Sequence, residues 1–426
     1  MGIPLIALGT FTLLYVLQPL RLIATDTMEQ YLTNWQASKA ILIAALMLVF
    51  FMFGWISDHK GRSHPSRTMW NRRLLWNIGA WAAFIGLALH IVFLERSGGI
   101  IYAFSKQHGT AMAWEENTAY LYDSLWWILS GSVMMILGVE PLRTSKWRRR
   151  LPVAFALIFV LYALLIAGRG PLFSAAGALF VSLTIAHRQT IPLKKAIGLL
   201  AIVGCCTLLV FGYRSVLYLG DKDATKTPTL NGAITSLTDV EGWNQAHGTT
   251  GSEFLYHAGA IDTVDQSGKL DYGISWIYYV ILNPIPKLLW PEKHYPESPG
   301  ITTSDITSYV GFPIAGGAAS GLVADVYIRY GYFSVLFMLG LGKILRRMHE
   351  SAIKLESPLS VCAYVMLYSL SLNLFAQDVR AILVAFPYSM LPVLLYTVLV
   401  RLSRPNGSPN KVSHDVSRMG YMKSFN

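Results

Sequence analysis

Charge is scarce in this sequence. Only 14% of its 426 residues are charged, and acids are the rarer sign, 24 against 35 Lys and Arg. Soluble domains carry about 25% charged residues, so a water-facing surface of ordinary composition cannot be assembled here. Cysteine is also rare. Cys205, Cys206 and Cys362 all lie inside apolar stretches, which makes them packing residues rather than a disulfide framework. Neither GxxxxGK[ST] nor a strand–GxGxxG–helix context occurs, so no nucleotide site is predicted. No HExxH or CxxC pair supports a metal site, and Gly-x-Ser-x-Gly is missing, which removes the nucleophile-elbow hydrolases. No cofactor and no metal ion are therefore expected.

Apolar residues fill the space that charge leaves. They make up 53% of the chain, and mean hydropathy is +0.43. The 12 Trp and 22 Tyr suit a protein with two interfacial aromatic belts. Ten stretches are long enough to cross a bilayer, at about 3–20, 39–56, 74–94, 121–139, 151–167, 171–186, 196–213, 321–342, 359–375 and 381–400. The expected fold class is an all-α polytopic membrane protein. The first stretch lacks a basic leader and a clear small-residue cleavage site, so it reads as the first span.

The segments between spans alternate in charge. Those at 57–73, 140–150, 187–195 and 343–357, with the tail after 400, hold 22 of the 35 basic residues. The positive-inside rule places these in the cytoplasm with both termini. This explains the net charge of +11 without nucleic acid. The predicted organisation is seven spans over 1–213, one large outer loop over 214–320, three spans over 321–400 and a polar cytoplasmic tail over 401–426. The loop is too long for an ordinary connection and is expected to be functional. Within it, 272–282 is amphipathic and aromatic and suits the membrane interface. No internal repeat is visible, which counts against an inverted-repeat transporter.

Four arginines break the inside pattern. Arg169, Arg214, Arg329 and Arg380 sit at the outer ends of spans or within one. An arginine near hydrocarbon costs from about 2.5 to more than 10 kcal/mol, so it marks a functional position by default. Arg169 follows Gly168 and precedes Gly170-Pro171, and glycines let a backbone approach a ligand closely. Its guanidinium fits phosphate bidentately, or it snorkels to outer headgroups. Arg214 either anchors the interface or joins the same anion site. Arg380 follows Asp378 in a short outer turn and either pairs locally or binds anion. Asp325 and Arg329 are i,i+4 and face one way, as a buried ion pair or as a polar cavity lining in which Asp325 acts as general base. Among the outer histidines, His108, His247, His257 and His294, His257 is the first candidate for acid–base work. No histidine reads convincingly as lying within a span, which argues against a membrane-bound acyltransferase.

These pieces together resemble the Wzy-type oligosaccharide repeat-unit polymerases of bacterial envelopes. Ala167-Gly168-Arg169-Gly170 is similar to the family's Gly-Ser-Arg-Gly signature. Ala324-Asp325-Val326-Tyr327-Ile328-Arg329-Tyr330-Gly331 resembles its Glu-x-Tyr-x-Asn-Phe-Gly run, with Asp325 for Glu and Arg329 for Asn. Val379-Arg380-Ala381 resembles the Arg-Gly near the last span. The resemblance implies a GT-C-like helical bundle in the bacterial inner membrane, its active site facing the periplasm. It implies transfer of a growing glycan from undecaprenyl diphosphate onto an incoming lipid-linked repeat unit. The arginines would stabilise the diphosphate leaving group without metal, and Asp325 or His257 would deprotonate the acceptor. The implied partners are the undecaprenyl-diphosphate-linked oligosaccharide, membrane lipid, and a chain-length regulator and flippase of the same pathway. An O-antigen ligase shares this donor chemistry, and an oligosaccharide transporter is the competing class.

Overall fold

A computed structural model describes residues 2–26, 28–57, 70–97, 119–139, 145–165, 169–187, 253–282, 300–310 and 321–403, with isolated residues at 198, 205, 285, 290 and 292. Among the described residues every regular element is helical. Among these residues seven helices are long and apolar enough to cross a membrane: Ile3–Ala24 (α1), Asn34–Ile56 (α2), Arg72–Arg96 (α3), Tyr120–Gly138 (α4), Gly321–Ile353, Pro358–Ala376 and Ile382–Leu402. The protein is thus an α-helical, membrane-embedded polytopic chain. Helices Lys146–Leu165 (α5) and Arg169–His187 (α6) occupy two further predicted spans. The predicted span at 196–213 lies outside the described residues apart from Gly198 and Cys205.

Local chemistry sets several boundaries. Thr33 and Gln36 form a reciprocal capping box that starts α2, satisfying two of the orphan N–H groups of its first turn. Ser357 and Ser360 do the same for Pro358–Ala376 (α12). In α1, Pro19 has no N–H and crowds the carbonyl four residues back. The helix absorbs this with a π turn over Leu13–Leu17, a geometry that often accompanies functional positions.

The segment 321–353 is not one straight span. Helix Gly321–Tyr330 (α10) ends in a 3-10 turn at Gly331–Phe333, and Ser334–Ile353 (α11) follows. At 1.5 Å per residue α11 alone is about 30 Å long, enough for the hydrocarbon core. The sequence reading put this crossing at 321–342. The observed α11 instead runs on past Lys343, Arg346 and Arg347 to Ile353. Long basic side chains can snorkel from a helix end, so charge does not mark where the backbone leaves the bilayer.

Helix crossings are close where side chains are absent. A Cβ on Gly54 of α2 would stand 2.1 Å from the Leu339 carbonyl oxygen of α11, and one on Gly79 of α3 would stand 2.7 Å from that of Gly131 in α4. Small residues permit such backbone approach between membrane helices.

One end of the bundle is basic. Trp76 Nε1 donates to the Arg148 carbonyl at 3.2 Å, Asn71 N–H donates to Tyr396 Oη at 3.2 Å, and the Arg346 guanidinium lies 5.7 Å from the Trp55 ring centre. These contacts gather the ends of α2 and α11, the starts of α3 and α5, and the last turns of Val379–Leu402 (α13). The opposite end carries a second layer built from Glu253–Ser267 (α7), Ile274–Ile281 (α8), Thr303–Val310 (α9) and α10.

Candidate functional site

The layer at the less basic end is organised by an ion cluster. Asp325 and Arg329 are one helical turn apart on α10 and form an ion pair. Arg329 Nε also lies 3.5 Å from Asp271 Oδ2, its Nη2 donates to Ser275 Oγ at 3.1 Å, and its guanidinium sits 4.7 Å from the Trp276 ring centre. Asp271, Asp325 and Arg329 are 1%, 4% and 8% exposed. One buried guanidinium therefore lies between two buried carboxylates. Burial of charge is tolerated only with such pairing.

The backbone explains how Asp271 reaches Arg329. Tyr272 and Gly273 both adopt positive φ, 52° and 78°. This turn points the Asp271 carboxylate at the start of α8, where it accepts from Ser275 Oγ at 2.5 Å and Ser275 N–H at 3.3 Å. The amides of Asp271 and Tyr272 meanwhile donate to the Ile328 and Arg329 carbonyls at 3.2 and 3.0 Å. They satisfy two of the orphan carbonyls that close α10.

The second Asp325 oxygen reaches a different element. Oδ2 accepts the backbone N–H of Val379 at 3.1 Å, where α13 begins. A carboxylate at a helix N-terminus meets both free N–H groups and the positive end of the dipole. Arg380 is the next residue. Arg169 stands likewise at the first residue of α6. Beside it, Gly170 packs so tightly that a Cβ would stand 2.7 Å from Asn373 Oδ1 in the last turns of α12. The backbones at Arg169, Arg329 and Arg380 therefore belong to one end of the bundle, linked by the Gly170–Asn373 and Asp325–Val379 contacts. Arg214 lies outside the described residues.

His257 is enclosed. It has no exposed surface, and its Nδ1 shares a 2.8 Å hydrogen bond with Tyr15 Oη from the π turn of α1. Gly321, at φ +65°, lies against its ring, and a Cβ there would be 2.3 Å from Nε2. Gln18 clamps the start of α7, donating to Glu253 Oε2 at 2.5 Å and accepting from Phe254 N–H at 3.0 Å. His257 thus fastens the layer to α1. His108, His247 and His294 lie outside the described residues. Histidines do lie within membrane-crossing helices, contrary to the sequence reading: His90 in α3 and His349 in α11. His90 is 3% exposed in α3, and its ring meets that of Tyr162 edge-on at 4.4 Å.

A cluster that the sequence reading missed ties the same layer to α2. Asp262 accepts from Gln36 Nε2 at 2.7 Å and Tyr309 Oη at 2.9 Å, and Asp265 accepts from Tyr327 Oη at 2.7 Å and Tyr332 Oη at 3.1 Å. Lys39 pairs with both carboxylates. Two acids at i,i+3 beside an amphipathic run were the available signal. Next to Gln36 an open cavity of about 450 Å³ is lined by polar groups including Glu29, Tyr31 and Asn34. Among the described residues no group of three or more His, Cys, Asp or Glu is placed to hold a metal ion.

No protein-family model matches this chain, and no curated protein or solved structure matches it either.

Proposed function

We propose that the protein is an inner-membrane polysaccharide polymerase that transfers a growing glycan from undecaprenyl diphosphate onto an incoming lipid-linked repeat unit, at the periplasmic face. The observation that carries this reading is the sharing of one bundle end by the backbones at Arg169, Arg329 and Arg380, two of them at helix N-termini. Two helix N-termini at one end of the bundle, each beginning at or beside an arginine, suit a diphosphate. The charge distribution adds support: the other end gathers Arg72, Arg148, Arg346 and Arg401, which is the pattern of a cytoplasmic face. On this topology the chain crosses ten times and the segment 214–320 is periplasmic.

In the reaction the acceptor hydroxyl oxygen bonds to the donor's anomeric carbon. The bond from that carbon to the phosphate oxygen breaks, and undecaprenyl diphosphate leaves with the electron pair. The acceptor proton passes to a general base. Arg169 and Arg380, with Arg214, stabilise the diphosphate as its charge develops. Arg329 and Asp325 already have internal partners, so their part is to position the Val379–Arg380 corner; direct contact with substrate would require the pair to open. The polar cavity at Glu29–Gln36 offers carboxylate and amide groups to acceptor sugar hydroxyls.

Purified protein in liposomes with the lipid-linked repeat unit of its own host tests this. Chains of two or more repeats on one lipid are the expected product. Transfer only to a different acceptor lipid would indicate a ligase, and movement of intact repeats across the bilayer without extension would indicate a transporter.

A further inference from the structure

Helix α8 is inside-out for water. It projects Ile277, Val280 and Ile281 outward at 54%, 44% and 59% exposure, while its protein-facing side carries Trp276 and Ser275, the ligands of Arg329. The three aliphatic residues fall at i, i+3 and i+4 and so form one face. A surface helix in water keeps its polar side outward. Here the polar side is turned in.

The exposed face continues a lipid-facing surface. Trp276 packs against Phe337 with ring centres 5.3 Å apart and against Tyr330 at 5.8 Å. Phe337 belongs to the first turn of α11. Phe333, just before that turn, is 73% exposed, Leu336 within it is 54% exposed, and Ile344 continues the same stripe. In a membrane-crossing helix such a stripe contacts hydrocarbon, so α8 lies level with the point where α11 enters the bilayer. Tyr272, exposed just before the helix start, adds an aromatic residue of the type that settles at the headgroup level.

We infer that α8 is an in-plane membrane helix, its Ile277–Val280–Ile281 face immersed in the lipid leaflet at the less basic end of the bundle. Amphipathic helices of this kind sit about 5–10 Å into the boundary between headgroups and acyl chains. The occupant of the surface is bulk lipid acyl chain. The geometry gives the immersion a second effect. Ser275 and Trp276 touch Arg329, and Asp271 at the helix start pairs with it. The depth of α8 in the leaflet therefore bears on the buried cluster, and through Asp325 on the start of α13. The inference does not depend on the proposed reaction.

The test uses the full chain in liposomes, with Ile277→Cys or Ile281→Cys carrying an environment-sensitive fluorophore and Asp305→Cys as the aqueous reference. Phospholipids with a nitroxide high on the acyl chain should quench the labels at 277 and 281 at least threefold more than the label at 305. Iodide should quench in the opposite order. Equal iodide quenching at 277 and 305 would overturn the immersion. Shielding of 277 from both iodide and nitroxide lipid would also overturn it, because a second copy or another protein would then cover the face.

Discussion

The Asp325 carboxylate binds the backbone N–H of Val379, 3.1 Å away and 54 residues on in sequence. Its other oxygen is taken by Arg329. A single side chain thus joins α10 to the corner at which α13 begins, and Arg329 extends the connection to α8 through Asp271 and Ser275.

The two members of this pair should not be equally sensitive. Arg329→Ala leaves Asp325 and Asp271 buried without their shared cation, and breaking a buried pair in this way costs about 3–5 kcal/mol. Asp325→Asn keeps an acceptor for Val379 and leaves Arg329 with Asp271, so it should cost less. Thermal unfolding of both variants in the same detergent should rank Arg329→Ala as the more damaged. The reverse ranking would show that Asp271 does not share the charge of Arg329.

Gly170 offers a test of the corner near Arg169. Gly170→Ala places a methyl group where Asn373 Oδ1 would be 2.7 Å away, and overpacking of this kind typically costs about 1–3 kcal/mol. Asn373→Ala should restore much of the loss in the double variant. A double-mutant cycle in thermal stability measures the coupling, and additive losses would place the two residues apart.

Tyr15→Phe should loosen the hold of α1 on α7. It deletes the buried 2.8 Å hydrogen bond to His257, for a cost of about 0.5–1.5 kcal/mol. Hydrogen exchange should rise first in 253–267. Unchanged protection there would assign the attachment to Gln18 and Glu253 alone.

Helix α9 should respond to acid through Asp305. The backbone N–H of Thr302, and then its hydroxyl, hold the Asp305 carboxyl below the usual carboxylate range. Its folded value lies below its unfolded value, so the cap's contribution is fully present above the unfolded value. It fades as pH falls through the folded one. Exchange protection of 303–310 should therefore be normal at neutral pH and reduced below about pH 4, the ordinary carboxylate range. Asp305→Asn should show the reduced protection already at neutral pH. Protection that does not change between the two pH values would discount the carboxylate as a cap.

Arg169→Ala and Arg380→Ala should each abolish chain extension by purified protein while leaving its membrane insertion intact. Lysine at either position should restore only part, because it lacks the guanidinium fork. Full extension by both alanine variants would remove the arginines from the diphosphate site.

Much of the bundle was legible because spans announce themselves by length and composition, and each of the seven apolar helices among the described residues overlaps a predicted span. The i,i+4 geometry of Asp325 and Arg329 was legible for the same reason, since helical spacing alone sets it. Their other partners were not. Asp271 lies 54 residues before Asp325 in sequence, and only two consecutive positive-φ residues bring it to Arg329. The surroundings of His257 were not legible either, because sequence shows neighbours along the chain, not the Tyr15 and Gly321 that pack against its ring. The division of 321–353 into α10 and α11 was hidden because hydropathy is unchanged across a 3-10 turn.

The π turn in α1 also sets the phase of that helix. Ile3 and Leu22 are both buried and stand 19 residues apart. Five α-helical turns take up 18 residues. In an uninterrupted helix the surplus residue would swing the buried stripe by about 100° between the two ends. The wider turn at Leu13–Leu17 takes up that residue, so Ile3, Ala7, Phe11, Leu14 and Leu22 stay on one side. Deleting a single residue within the π turn would leave the stripe in phase and remove only the bulge that presents Tyr15. Deleting one elsewhere in α1 would turn one half of the helix away from its neighbours.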